Sequence, residues 1–421
     1  MLEENIYNLY CLLAKSAGKS GGLVRIMRTK GEFRYLEIRR VLSNSSLLRH
    51  KLTKRMLNNP VANLAYKFGK VPKPYDISFC LTGKCNMRCK MCDIGYSNID
   101  TKLLEIDSIR MVRESQPDTL GLKKNKEIID TASGFNPIIR LIGAGEPMLY
   151  PDIMKLLHYI IKDKGLNAII VTNGTNISKY AKELVQLGVY SVNISLDGPE
   201  KIHENIRGLK GSHKMALNAL RNLAEARRKA GTLFPQIRVN YTISNHNYLD
   251  IVRFVDEIRK EDIDILNFFH LFFKTEKMVE KHNSGHDKQL QTTPSSIYGV
   301  DHKAIDIRAL NVQISQVKIR YKNLNIFFQP DLNEEQIKEY YSLPEKLLNK
   351  KSCIIPWTKL YILPNGDAIP MYMCINYKMG NVLKDGFFEV WYGDRYKKLR
   401  EIILKENSFP ICARCCGLFA E

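Results

Sequence analysis

The sequence predicts an α/β protein: a partial (β/α)6 barrel, preceded by a basic, mainly helical N-terminal extension and followed by a small, cysteine-bearing C-terminal domain. Three observations lead there. From Tyr75 onward, short β-rich runs alternate with helix-length amphipathic stretches, the pattern of parallel strands joined by right-handed helical crossovers. Before that point the chain is strongly basic and helical in its periodicity. Beyond residue 320, five cysteines gather between Cys353 and Cys416.

A chain of 421 residues holds two or three domains at about 100–200 residues each. We place them at 1–72, 73–320 and 321–421. The 44% hydrophobic and 26% charged content supports a sizeable core and excludes a disordered or fibrous chain. No apolar run reaches the ~18 residues of a membrane span. The start, Met-Leu-Glu-Glu-Asn, lacks the cationic and then apolar pattern of a secretory signal. A cytoplasmic location is therefore expected, where clustered cysteines serve as metal ligands or catalytic groups rather than disulfides.

The net charge is +20, and residues 1–72 carry 14 Lys and Arg against four Glu. Such a segment suits an anionic counterpart; a solvated basic surface without a dedicated partner is the alternative. Leu2, Ile6, Leu9, Leu12 and Leu13 share one helical face, and further helical stretches fit 32–42 and 45–58. An amphipathic basic start favours peripheral association with a membrane surface. Nucleic acid is not expected, since no aromatic-rich RNA-binding motif is present.

Six strands are expected at Tyr75–Leu81, Ile138–Ile142, Ala168–Thr172, Ser191–Ser195, Ile237–Ile243 and Ile265–Phe273, each rich in β-branched and aromatic residues. Helices fit Asp152–Lys164, Ser178–Leu187, Ser212–Lys229 and Tyr248–Lys260. The polar stretch from Lys274 to Lys303 reads as a long loop or insertion, covering a substrate site or simply mobile. His270, His282, His286 and His302 lie in or near it without regular ligand spacing, and so read as surface or structural residues.

In barrel-like α/β folds active sites assemble at the C-terminal ends of the parallel strands. The first strand runs into Cys85-Asn86-Met87-Arg88-Cys89-Lys90-Met91-Cys92. Three thiolates on one loop can ligate three irons of a single iron–sulfur cube, leaving the fourth open to a cofactor. A structural zinc wants four closed ligands; the loop supplies three, with Cys80 inside the strand. Cys-x3-Cys-x2-Cys after a first strand resembles the signature of the radical S-adenosylmethionine superfamily, whose fold is a partial TIM-like barrel. After the second strand, Gly143-Ala144-Gly145-Glu146-Pro147 resembles that superfamily's Gly-Gly-Glu-Pro motif, with Ala144 for the commoner glycine. Small residues there let main-chain carbonyls approach a cationic ligand. An ordinary turn with Pro147 at a helix entry is the plainer reading.

The third and fourth strands end in Thr172-Asn173-Gly174 and Ser195-Leu196-Asp197-Gly198, similar to the family's strand ends. The resemblance implies that Asn173, Ser195 and Asp197 lie near the bound S-adenosylmethionine. Arg207 then pairs with its carboxylate, to which a guanidinium fork is matched. Singly these motifs are ordinary turn formers; their order along successive strands carries the resemblance.

In the C-terminal domain, Asn365-Gly366 between two β-rich runs predicts a hairpin that brings Cys353 near Cys374. Cys412 and Cys415, as a Cys-x2-Cys pair, can complete a four-thiolate site, and Cys416 is an alternative to Cys415. The region resembles the superfamily's auxiliary-cluster domains, SPASM in the long form and twitch in the short. Five cysteines favour the short form and one auxiliary 4Fe-4S cluster, though Met371 stands where the full pattern has a cysteine. A four-cysteine zinc remains the alternative.

Together the resemblance implies reductive cleavage of S-adenosylmethionine at a 4Fe-4S cluster and hydrogen-atom abstraction from an unactivated substrate carbon. A small or lipid-linked metabolite is expected as substrate, with net oxidation or bond formation. Peptide modification and a non-catalytic iron–sulfur or zinc protein are the alternatives. A flavodoxin- or ferredoxin-like reductant is the expected partner.

Overall fold

A computed structural model describes residues 71–97, 120–348, 352–372 and 374–419, with the side chains of Tyr96, Ser97 and Cys416 left aside. All but the last two positions of the expected N-terminal extension, with its membrane-surface role, lie outside the described residues.

The strands form one ten-stranded sheet in the order β10-β9-β8-β1-β2-β3-β4-β5-β6-β7. The first six are β1 (Asp76–Phe79), β2 (Ile138–Leu141), β3 (Asn167–Thr172), β4 (Ser191–Ser195), β5 (Gln236–Ile243) and β6 (Ile265–His270). All pair in parallel with their neighbours, as strand–helix alternation requires. A seventh, β7 (Ile326–Gln329), adds in parallel to β6. The barrel sheet therefore runs past the boundary expected at residue 320.

At the other edge, β8 (Lys359–Ile362) pairs in parallel with β1 and turns through Gly366 into antiparallel β9 (Asp367–Ile369). Gly366 has φ +87°, which the Asn-Gly turn needs and which glycine adopts without strain. A two-residue β10 (Gly380–Asn381) completes the edge. The expected hairpin is thus present, and it is an extension of the barrel sheet.

Side chains alternate along the strands, and the alternation separates two faces. In β5, Ile237, Val239, Tyr241 and Ile243 are fully buried. The ring of Tyr241 lies 5.0 Å from that of Phe254, in the helix Ile251–Ile258. Arg238, Asn240 and Thr242 point to the opposite face, the lumen. At the β1 end the lumen holds an ion cluster. Buried Asp76 accepts from Arg140 Nη2 at 2.7 Å and lies 3.7 Å from Lys359 Nζ. Burial alone would raise this carboxyl; the two cations outweigh it and hold it below the usual range.

The 274–303 stretch is not the plain loop expected. Thr275 caps the helix Glu276–Asn283 by accepting from the Met278 N–H, as N-cap threonines do. Lys274 and Ser295 exchange backbone hydrogen bonds at 2.9 and 3.1 Å, closing the insertion on itself. His282 is buried with Nε2 against the Leu290 carbonyl at 2.9 Å, and buried His270 bonds the Tyr341 hydroxyl at 2.8 Å. These two are structural histidines.

Candidate active site

The loop carrying Cys85, Cys89 and Cys92 leaves the C-terminal end of β1 and is held on three sides. On one, Arg88 N and Lys90 N donate to the carbonyls of Arg207 and Ile206 at 3.0 and 2.9 Å. They thus meet the end of the helix Glu200–Arg207. On another, Asn173 Nδ2 donates to Asn86 Oδ1 at 2.8 Å, and Asn86 Nδ2 donates to Thr175 at 3.0 Å. On the third, the insertion clamps the loop's exit. Ser295 Oγ and Ser296 N each donate to the buried Asp93 carboxylate at 2.7 Å, and Ser296 Oγ donates to the Met91 carbonyl at 3.1 Å.

The Gly143–Pro147 turn packs directly under this loop. A Cβ on Gly143, whose φ is +138°, would fall 2.1 Å from Cys80 Sγ. One on Gly145 would fall 2.5 Å from the carbonyl oxygens of Thr82 and Lys84. Both glycines are therefore demanded first by the cysteine loop's approach, whatever ligand comes later. Ala144 is buried, and its N–H donates to the Cys80 sulfur. Burial, opposed in part by that bond, pushes the Cys80 thiol up to about 11, and it is a packing residue beneath the loop. Pro147 opens the 3-10 turn Pro147–Leu149, its missing N–H costing nothing there.

Glu146 is buried and committed internally. Its carboxylate accepts from Thr172 Oγ1 at 2.6 Å, Asn173 N at 2.7 Å and Met148 N at 3.0 Å. Burial raises its carboxyl despite these three bonds. Glu146 thus knits the ends of β2 and β3 together. Asn173, similarly, spends its side chain on Asn86 and on Thr175 N at 3.0 Å. Ser195, at the end of β4, is half-buried on the lumen face.

Arg207 differs from its expected free fork. Its Nε donates to Asp197 Oδ2 at 2.5 Å, while Nη1 lies 3.7 Å from Cys89 Sγ. Asp197 is fully buried, and its other oxygen accepts from Thr242 N at 2.8 Å. The two residues expected to meet the cofactor separately therefore meet each other. The pair delivers a cation to the sulfur of Cys89.

Burial pushes all three loop thiols up, Cys92 to about 12, and Arg207 offsets part of that at Cys89. Buried thiols so placed become thiolates when metal takes their charge. Cys92 feels the fields of both Cys89 and Cys85, so the three sulfurs share one small volume. Among the described residues no three His, Cys, Asp or Glu side chains converge tightly enough for a single metal ion. Three soft sulfur donors wrapped around one volume fit a cube that each holds by a different iron.

The C-terminal cysteines gather likewise. Cys353, pushed up to about 12 by burial, also feels Cys374, and Cys412 feels both. Cys415 follows one turn on, its N–H donating to the Cys412 carbonyl at 3.0 Å. Cys374 thus lies beside Cys353 and Cys412; the Cys416 side chain lies outside the described residues. Two cations here had no signal in the sequence. Lys274, 2% exposed, donates from Nζ to Thr292 Oγ1 at 2.6 Å and to the Cys374 carbonyl at 3.0 Å. Arg414, fully buried between Cys412 and Cys415, donates to the carbonyls of Glu339, Tyr340, Leu343 and Lys346. It thereby caps the C-terminal end of the helix Glu334–Ser342.

Comparison with known proteins agrees with this geometry. Residues 79–235 match the family model of the radical SAM superfamily, and residues 353–416 match that of an iron–sulfur cluster-binding domain, SPASM. The Fe-coproporphyrin III synthase of Methanosarcina barkeri is 30% identical over 218 residues, 51% of this chain and 49% of that protein. A tungsten-containing aldehyde ferredoxin oxidoreductase cofactor-modifying protein of Pyrococcus furiosus is 23% identical over 80% of this chain and 85% of its own length. The chain thus spans about half of the first relative and most of the second. In fold it resembles Streptococcus suis SuiB bound to S-adenosylmethionine, with a TM-score of 0.54 at 17% identity over 92% of this chain and 78% of that one. The family's cofactors are S-adenosylmethionine and a 4Fe-4S cluster, with further iron–sulfur clusters implied by the C-terminal domain. The chain belongs to the radical SAM superfamily and carries a C-terminal SPASM domain.

Proposed function

We propose that this enzyme abstracts a hydrogen atom from an unactivated carbon of a small or lipid-linked metabolite, with net oxidation or bond formation. Cys85, Cys89 and Cys92 hold the reactive cluster, which when bound supplies the electron for reductive cleavage of S-adenosylmethionine. The observation that carries the substrate reading is a cavity of about 460 Å³ on the β5–β7 side of the lumen. Its volume suits a small metabolite, and its strand-borne walls come from β5, β6 and β7, with Arg238 on the strand next to β4.

Arg207 lies beside the Cys89 sulfur, favouring its thiolate, and is itself fixed by Asp197. Glu146, Asn173 and Asp93 position the loop rather than react. Gly143 to Pro147, together with Ser195, form the wall against which the cofactor docks. Cys353, Cys374, Cys412 and Cys415 hold an auxiliary cluster; four protein thiolates leave it no open iron, which suits electron relay and hence net oxidation. An acidic flavodoxin- or ferredoxin-like protein supplies electrons by way of the basic surface. Peptide modification is the second reading, favoured by the likeness in fold to SuiB bound to its precursor peptide, with a TM-score of 0.55.

The test is anaerobic reconstitution, reduction and addition of S-adenosylmethionine, with 5′-deoxyadenosine measured. Its formation is expected in the wild type and not in the Cys85→Ala, Cys89→Ala, Cys92→Ala triple variant. A fully loaded protein that produces none would overturn the reading.

A further inference from the structure

The lumen cavity is walled by Arg238, Asn267, Phe327 and Gln329 among others. Strand register fixes their order. Ser195 pairs with Asn240, which in turn pairs with Asn267, and Asn267 pairs with Phe327. Neighbouring strands lie about 4.8 Å apart, so Asn267 sits about 10 Å from the cofactor-side Ser195. Arg238 occupies the next layer down, opposite Ile265. Asn267 is already oriented, its Nδ2 donating to Asn240 Oδ1 at 3.0 Å.

Arg238 is the unusual member of this wall. Its Nη2 donates to Gln236 Oε1 at 2.7 Å, a neutral partner. Its Nε is shut off from solvent and has no hydrogen-bond partner among the described residues. No carboxylate among the described residues forms an ion pair with it. The acids nearby are paired elsewhere, and only part of the Asp264 field reaches Arg238. Asp264 accepts from Arg227 Nη1 at 2.5 Å and from Ile237 N at 2.7 Å. Asp331, on the cavity wall, is bound by Lys318 Nζ at 2.5 Å. A guanidinium keeps its charge in proteins, and a desolvated charge without a counter-ion is costly. Burial indeed lowers the ionisation range of Arg238, the direction expected of a cation awaiting its counter-charge. Side chains held in such a state occur where a ligand completes them.

We propose that the substrate carries an anionic group, a carboxylate or a phosphate, that docks on Arg238. The guanidinium fork matches either group bidentately. The substrate's carbon skeleton then lies along Phe327 and Asn267, directed toward Ser195 and the cofactor. The proposal rests on the radical SAM substrate reading above, but its test is a binding measurement that needs no turnover.

Phenyl phosphate and benzoate are the probes, titrated calorimetrically into anaerobic holoenzyme. At least one is expected to bind saturably, and the one that binds tighter tells phosphate from carboxylate. Arg238→Gln is expected to weaken that binding at least tenfold, and Arg238→Lys, which keeps the charge but not the fork, by less. Iron content and melting temperature check that each variant is folded. Lys322→Gln removes an exposed charge and controls for the +20 net charge; it is expected to bind as wild type. Three results would each overturn the proposal: no saturable binding in the wild type, unchanged binding in both Arg238 variants, or an equal loss in Lys322→Gln. Failure to form 5′-deoxyadenosine would instead sink the reaction reading and leave the anion site standing.

Discussion

Gly143 shows how a motif glycine can answer to a neighbour that the motif does not name. Its left-handed φ and the 2.1 Å approach of a built Cβ to Cys80 Sγ make any side chain there both strained and overlapping. Gly143→Ala is therefore expected to displace the turn from the cysteine loop. Iron bound at the loop should fall well below wild type, and overall stability should drop by about 2–4 kcal/mol. Iron assay and urea unfolding of the anaerobically reconstituted protein check this, and full iron loading with unchanged stability would refute it. The same scale holds the Asp197–Arg207 pair. From sequence each residue looked like an independent ligand for the cofactor, because a motif records identity and not partners. Only the return of the helix Glu200–Arg207 over the loop brings the 2.5 Å contact about. Removing either partner would strand the other as a buried charge, the costly half of such a pair.

Among the elements, those with local signals were the legible ones. The first six strands were readable to within a residue or three at each end because their residues are β-branched, alternating and bounded by turn formers. Ser191–Ser195 and the helix Ser212–Lys229 match the expected bounds. What escaped is non-local. The insertion's grip on Asp93 spans about 200 residues of chain, and Lys274 reaches the Cys374 carbonyl across 100. No spacing rule encodes either contact. Arg414 is the sharpest case, a charged residue next to a cysteine that reads as surface yet is fully buried. It donates to the last-turn carbonyls of Glu339 and Tyr340 and to those of Leu343 and Lys346 in the loop beyond. Its guanidinium lies 4.7 Å from the Tyr340 ring centroid, and burial lowers its ionisation to about 10. Arg414→Met fills the space without donors, so the carbonyls of Tyr340 and Lys346 lose this donor, while those of Glu339 and Leu343 keep the N–H groups of Leu343 and Lys346. A loss of about 3–5 kcal/mol is expected, together with selective loss of iron from the Cys353, Cys374, Cys412 and Cys415 site. Roughly eight irons per chain should fall to about four, while 5′-deoxyadenosine formation at the loop cluster persists. Loss of both clusters together, or of neither, would count against this division.

At the scale of the whole molecule, the small C-terminal domain expected after the barrel continues the barrel's own sheet. β8 lies against β1 through four paired positions, from Asp76–Lys359 to Phe79–Ile362, and Cys80 N donates to the Ile362 carbonyl at 2.9 Å. Lys359 also joins Arg140 on the buried Asp76. Trp391 Nε1 bonds the Pro72 carbonyl at 3.0 Å, so the chain's entry into the barrel is held by a C-terminal helix. Cutting the chain after residue 348 would expose the whole edge of β1, the strand from which the cysteine loop departs. It would leave unpaired N–H and C=O groups along a normally buried strand, a template for aggregation. It would also strip Asp76 of one counter-charge and remove the Cys374 carbonyl from Lys274. The truncated chain is therefore expected to be largely insoluble, and its soluble fraction to bind much less iron at Cys85, Cys89 and Cys92 than the full chain. The full chain should lose β1-edge and C-terminal structure in one unfolding transition, followed by amide hydrogen exchange in Ser78 and Tyr361. A truncated protein that remains soluble, fully loads its loop cluster and still cleaves S-adenosylmethionine would show that the shared sheet is dispensable.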